Sequence, residues 1–230
     1  MSSGTRDRIL AEASRLFHRQ GYEATGVATI LRAADVNSGS LYHFFPGKEA
    51  LLVGVLERHL TLLDPSILDP AEDAESDPIE RIFTLLEAYR RALLVTDCTR
   101  GCPVGNLALE VGNRTPAAQS LIDQYFAGWT GRVRRWLDQA GPKLPTSSDR
   151  AALSRLVLSV MEGGVMQARA AGSLDPFDAS VAELRRHLTL LQEAARRERG
   201  EEPAAMAPEA AGTGREEPAH TGKRAAWRAW

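Results

Sequence analysis

Residues 21–52 read GYEATGVATILRAADVNSGSLYHFFPGKEALL, and the punctuation of this stretch decides the fold. Just before it, Ile9, Leu10, Ala13, Leu16 and Phe17 recur at helical spacing between Thr5 and Gln20, and Gly21 supplies a C-terminal cap. Val27, Ile30 and Leu31 mark the inner face of a short helix over 27–34 that begins after Thr25 or Gly26. Asp35-Val36 turns the chain, with Asp35 tolerating a left-handed backbone. Asn37 then caps a third helix over 38–44, which must stop near Phe45 because Pro46 disfavours a helical residue before it. Three short helices with a tight turn between the second and third make a helix-turn-helix, whose last helix enters the DNA major groove. The expected partner is therefore double-stranded DNA.

The overall charge of −2 argues against a generally basic nucleic-acid binder, so any DNA contact must be local. Met1 to Lys48 holds six cations (Arg6, Arg8, Arg15, Arg19, Arg32 and Lys48) against four acids (Asp7, Glu12, Glu23 and Asp35). On the third helix Ser38, Gly39 and Ser40 form a small-residue tip that permits close approach, Leu41 and Phe45 point inward, and Tyr42 and His43 project outward where they can donate to phosphate.

The run Gly21 to Leu52, nearly continuous through Gly-Ser-Leu-Tyr-His-Phe-Phe-Pro-x-Lys-Glu, resembles the DNA-binding signature of the TetR/AcrR family of transcriptional regulators. The resemblance implies that Thr25, Ser38, Gly39, Ser40, Tyr42, His43 and Lys48 meet DNA, Lys48 through phosphate. Two positions depart from the pattern: Gly26 stands where a hydroxyl residue is usual and Asp35 where Gly is usual.

Past Lys48 the periodicity stays helical throughout, over about 48–63, 78–96, 103–111, 117–140, 149–171 and 178–199, with loops expected over 64–77 and 141–147. The expected fold is all-α: a helix-turn-helix domain over 1–47, a ligand-sensing and dimerisation domain over 48–199, and a disordered tail over 200–230 rich in Glu, Pro, Ala and Gly. Phe177, Val181, Leu184, Leu188 and Leu191 form an a/d-like stripe on the last helix, and Leu153, Leu156, Val160, Gly163, Gly164 and Gln167 a parallel one on the helix before it. A reader of palindromic DNA is commonly a dimer, and the resemblance implies that these two helices pair with their symmetry mates. The expected interface comprises Leu153, Val160, Gly164, Val181, Leu184, Leu188 and Leu191; the alternative is that the stripes face the chain's own core.

Residues 98–110, CTRGCPVGNLALE, contain a Gly-Cys-x-x-Gly-Asn-Leu-Ala core that resembles the LmrA/YxaF-like subfamily, whose members answer to flavonoids and other drug-like compounds and include cysteine-based electrophile sensors. The implied effector is a small hydrophobic or aromatic molecule that releases a repressor from its operator. Tyr89, Leu93, Cys102, Asn106, Tyr125, Phe126, Trp129, Met161 and Gln167 are the candidate pocket, chosen by residue type and helix face. Cys102 sits at a helix cap ahead of Pro103, where a thiol can be acidified and reactive, although packing as a small hydrophobe is the simpler role. Activation rather than repression is a further alternative with the same fold.

Enzyme equipment is lacking in the sequence: no phosphate-binding Gly loop, no Gly-x-Ser-x-Gly, no His-Glu-x-x-His, and five histidines scattered through different segments. Two cysteines are too few for a disulfide framework or a four-ligand zinc site, so no metal or cofactor is expected. The N-terminus lacks a signal-peptide core, and no run reaches the roughly 18–20 apolar residues of a membrane span. The chain reads as cytoplasmic with no membrane contact.

Overall fold

The computed structural model describes residues 2–111 and 115–201, and among these every regular element is helical. The tail expected over 200–230 lies, from residue 202 on, outside the described residues. Helix α1 (Ser2–Gln20) buries Ile9, Leu10, Ala13, Leu16 and Phe17, as its periodicity requires. Gly21 follows at φ +86°, a conformation that favours glycine. Then come α2 (Val27–Ala34) and α3 (Ser38–Phe44). Asp35 ends α2 at φ 51°, so the aspartate does adopt the left-handed backbone the turn demands. Asn37 caps α3 by accepting from the Ser40 amide at 2.8 Å.

Helix α4 (Lys48–Leu63) leaves the three-helix head, and Gly54 makes the junction tight. A Cβ there would lie 2.9 Å from Leu10 and 3.1 Å from Phe45. The apolar core runs without interruption from Ile9 in α1 to Leu188 in the last described helix, so the head is packed onto the body.

The loop expected over 64–77 is mostly helical. A single π-helical turn spans Asp64–Leu68 and α5 spans Asp69–Ala74. Pro65 and Pro70, read from sequence as breakers, each stand second in these segments, and the backbone stays helical through both junctions, so the chain bends through a wider turn without breaking. Arg132 fixes this connection, reaching Asp64 at 2.9 Å and Asp69 and Glu72 at 2.8 Å each.

The body is completed by α6 (Pro78–Val95), α7 (Pro103–Val111), α8 (Pro116–Gln139), α9 (Arg150–Ala171) and α10 (Asp175–Glu198). The last helix starts earlier than its apolar stripe suggests because Pro176 suits its first turn. Trp129 and Trp136 of α8 are fully buried and fill the centre.

The stripes assigned to a partner molecule divide. Leu184, Leu188 and Gly164 are buried within the protomer; Gly164 gives room to Phe177, whose ring would lie 3.0 Å from an added Cβ. Val181 lines a groove against α6 beside Phe83. Leu184, Leu188 and Gly164 serve the chain's own α9–α10 packing, because an a/d stripe satisfies an intramolecular neighbour as readily as an external one, whereas Val181 stays half-buried. Leu153, Val160 and Leu191 are half-buried, and Leu156 and Leu190 stand 42 % and 56 % exposed on the outward side.

Candidate DNA interface and interior pocket

Tyr42 is 54 % exposed, and Ser38, Gly39 and His43 share its open face of α3, with Ser40 half-buried beside Asn37. The His43 ring rests edge-on against Phe44 at 4.9 Å, which limits the directions it can take. Leu41 and Phe45 are buried, as their spacing predicts.

Thr25 departs from its expected role. It is fully buried, its hydroxyl donates to the Gly21 carbonyl at 2.6 Å, and it accepts from Gln20 Nε2 at 3.2 Å. Thr25 therefore holds the α1–α2 turn from inside, and its hydroxyl has no free face to offer a phosphate.

Lys48 is half-buried, its Nζ 4.2 Å above the Tyr22 ring and donating to the Glu23 carbonyl at 3.3 Å. Partial burial lowers its pKa, and the nearby Glu110 carboxylate opposes that shift. Glu110, near the end of α7, accepts from the Tyr22 amide at 2.8 Å and the Glu23 amide at 2.7 Å. Gly21 is needed for this approach too, since a Cβ there would come within 3.1 Å of both carboxylate oxygens. Sequence reasoning missed Glu110, because nothing local marks a half-buried glutamate that bonds a turn so distant in the chain.

The other end of α7 touches the head as well. His18 of α1 is buried, and its Nε2–H donates to the Gly101 carbonyl at 2.6 Å. Burial lowers the His18 pKa, Arg100 and Arg169 add to that, and the Gly101 bond works against it.

His18 also walls a cavity of about 10 Å3, together with Tyr89, Leu93, Gly101, Cys102 and Val165. That is about enough for one water, far short of the roughly 300–1,000 Å3 of a ligand site. Of the residues predicted for a pocket, Tyr89, Leu93 and Cys102 line this cavity. Tyr125, Trp129 and Met161 are buried in the same core, and Trp129 Nε1 donates to the Tyr89 hydroxyl at 3.2 Å. Asn106 accepts from Arg169 at 3.2 Å and crowds Gly101, where a Cβ would meet its Oδ1 at 2.8 Å.

Two predicted members fall elsewhere. Phe126 faces an outer groove with Pro116 and Ile122, one residue around the helix from Tyr125. Gln167 is exposed and bonds its own helix at the Gly163 carbonyl, and neither residue lines the cavity beside Cys102.

The residue that sequence reasoning overlooked here is Glu162 of α9. Its carboxyl reaches the start of α7 at Gly105, where a Cβ would lie 2.4 Å from Oε2. Burial raises its pKa, while a hydrogen bond from the Cys102 thiol lowers it. An acid directly after Met161 on an otherwise buried stripe was the one available signal.

At Cys102 the surroundings favour the simpler role of a packed hydrophobe over the acidified thiol weighed against it. Cys102 is 1 % exposed, and burial together with Glu162 pushes the thiol well up, outweighing the Val104 and Gly105 amides that favour the thiolate. Tyr89 and Tyr125 are also pushed up by burial.

A three-helix head with an exposed recognition helix, packed on a helical body with its own closed interior, defines a helix-turn-helix DNA-binding transcriptional regulator. Residues 9–55 match bacterial regulatory proteins of the tetR family, and residues 78–183 match the C-terminal domain of LmrA/YxaF-like transcriptional regulators. The chain is 32 % identical over 163 residues to the HTH-type transcriptional regulator YxaF of Bacillus subtilis, covering 70 % of this chain and 83 % of YxaF. It is likewise 32 % identical over 180 residues to B. subtilis LmrA, covering 77 % and 93 %. Among solved structures, a TetR regulatory protein from Rhodobacter sphaeroides superposes with a TM-score of 0.69 at 26 % identity, over 79 % of this chain and 97 % of that one. Reduced Escherichia coli NemR superposes equally at 0.69 with 25 % identity, over 81 % and 96 %. The chain belongs to the TetR family, with an LmrA/YxaF-like C-terminal domain.

Among the described residues no helix is long and apolar enough to cross a membrane, and no group of histidine, cysteine and acidic side chains is placed to hold a metal ion.

Proposed function

We propose that the protein is a homodimeric repressor in the cytoplasm that holds a palindromic operator and releases it when a small hydrophobic or aromatic effector enters the cavity beside Cys102. Residues 1–47 act as the reading head and 48–199 as the sensing and pairing body. The tip Ser38-Gly39-Ser40 approaches base edges, and Tyr42, His43 and Lys48 bind phosphate. The outward side of α9 and α10, with Leu153, Leu156, Val160, Leu190 and Leu191, meets its copy on a partner protomer.

One observation carries the reading. The cavity has room for only about one water, and one of its walls, His18, belongs to the head. An effector of ordinary size cannot enter without parting those walls. Entry therefore moves the Gly101–His18 contact, and α7 passes the movement to the α1–α2 turn through Glu110. Effector and DNA then favour different placements of the head, which is the reciprocal coupling that release requires. A reactive-cysteine trigger is disfavoured by the burial of Cys102 and the upward shift of its thiol.

The test is selection of bound fragments from genomic DNA, followed by titration in increasing salt. A palindromic footprint is expected, and Tyr42→Phe with Lys48→Ala should weaken binding to all sequences and lower the salt slope by about one unit per lost phosphate contact. Wild-type protein that selects no duplex at low salt would overturn the proposal. Deleting the gene beside a reporter fixes the sign: transcription that falls instead of rising makes the protein an activator.

A further inference from the structure

Two polar atoms in the core, Glu162 Oε1 and the Tyr125 hydroxyl, are buried without a hydrogen-bond partner among the described residues. The Tyr89 hydroxyl lies near enough to oppose the upward shift that burial gives Tyr125, yet among the described residues no hydrogen bond of ordinary geometry reaches the Tyr125 oxygen. Buried polar groups are nearly always satisfied, so two orphans in one cluster mark a place built for something else to bind. Glycine at position 105 alone lets the carboxylate settle over the first turn of α7.

Charge around this point has one sign. The groups acting on or beside Glu162 are the Cys102 thiol at the start of α7, Tyr89 on α6 and Tyr125 on α8, all neutral or negative when they ionise. The cations Arg100 and Arg169 act on His18. Among the described residues no cation acts on Glu162, while the Tyr89 and Tyr125 phenols lie close enough to feel its charge.

Resting on the sensor reading above, we infer that the interior site takes an aromatic amine in its protonated form, with the ammonium on Glu162 and Tyr125 and the ring among Tyr89, Tyr125 and Trp129. An ammonium supplies three donors and no acceptor, which suits a carboxylate oxygen and a phenol oxygen that both lack a donor. Its charge adds attraction to the ring faces and to the carboxylate in a site screened from water. A neutral alcohol of the same shape offers one donor and no charge, and a carboxylate ligand meets Glu162 with like charge. Cys102 is thereby a wall and a hydrogen-bond donor to Glu162 rather than a nucleophile.

The test is calorimetric titration of the full chain with tryptamine, indole-3-ethanol and indole-3-acetate, which share a ring and differ in charge. Tryptamine should bind at least about tenfold more tightly than indole-3-ethanol, with indole-3-acetate weakest. Glu162→Gln, near-isosteric and neutral, should close the gap between amine and alcohol to within about twofold, and Tyr125→Phe should narrow it. No tryptamine binding, equal affinities, a preference for the acid, or an undiminished preference in folded Glu162→Gln would each overturn the inference. Anisotropy on the selected DNA separates it from the sensor reading. Tryptamine that binds through Glu162 but leaves DNA in place upholds the site and refutes sensing. Release by indole-3-ethanol or indole-3-acetate, with none by tryptamine, upholds sensing and refutes the amine.

Discussion

Removing the Glu110 carboxylate should loosen the α1–α2 turn in a way that can be read amide by amide. In Glu110→Ala the Tyr22 and Glu23 amides lose acceptors at 2.8 and 2.7 Å. Hydrogen bonds to charged groups contribute about 1.5–3 kcal/mol each. The Glu23 amide is in the open, where water replaces most of that bond, and the Tyr22 amide is only partly covered, so about 2 kcal/mol is a reasonable net loss for the pair. If opening of the turn governs exchange, about 2 kcal/mol corresponds to roughly thirtyfold faster deuterium uptake at these two amides. A peptide covering 21–25 reports it, with peptides from α10 as the internal reference. At fixed protomer concentration the melting temperature should fall by about 4–8 °C, given about 2–4 °C per kcal/mol at this chain length. Unchanged uptake at Tyr22 and Glu23 would refute the claim that Glu110 anchors the head, whatever happened to the melting curve.

Three further outcomes are expected. His59, bonded to Ser14 at 3.0 Å, is held neutral by burial with its pKa lowered to about 4. The unfolded chain therefore takes up the proton first, and about 3 kcal/mol of stability, fully present above pH 6.5, should drain away as pH falls toward about 4; His59→Gln should flatten that part of a urea-midpoint profile, and an identical profile in the variant would exclude His59 as its source. Cys102 should resist iodoacetamide in the native protein at neutral pH and react on unfolding, because only the thiolate attacks and this thiol is both covered and pushed up; rapid native alkylation mapped to Cys102 would contradict the burial. Leu156→Glu with Leu190→Glu should give a folded monomer by light scattering, whereas a surviving dimer would show that another surface pairs the protomers.

Much of this was legible in the sequence. The head could be read residue by residue because capping and breaking are local: Gly21, Asn37 and Pro46 act on their own neighbours. Proline is ambiguous by the same chemistry, ending one helix or beginning the next, so 64–74 read as loop until Arg132 was seen gathering its carboxylates. Periodicity gave the faces of α9 and α10 but not what those faces meet, so Leu184 and Leu188 went to a partner when they serve the protomer. Phe126 and Gln167 failed for a related reason, since one residue along a helix is about 100° around it. Glu162 and Glu110 were invisible because their meaning lies in residues far away in the chain. Resemblance placed Thr25 at the DNA, whereas the turn claims its hydroxyl.

The shortness of α7 has a mechanical consequence. Cys102 precedes its first residue and Glu110 is its last but one, so the two ends of the link lie only about 12 Å apart at 1.5 Å per residue. Helices bend with radii of about 60–100 Å, so a strut of this length behaves as a rigid lever. A push of an ångström at one end reaches the other with little of it absorbed by flexing along the way. Under the proposed sensing, a modest wedge would give a displacement of similar size at the α1–α2 turn, and stiffness rather than reach would set the sensitivity.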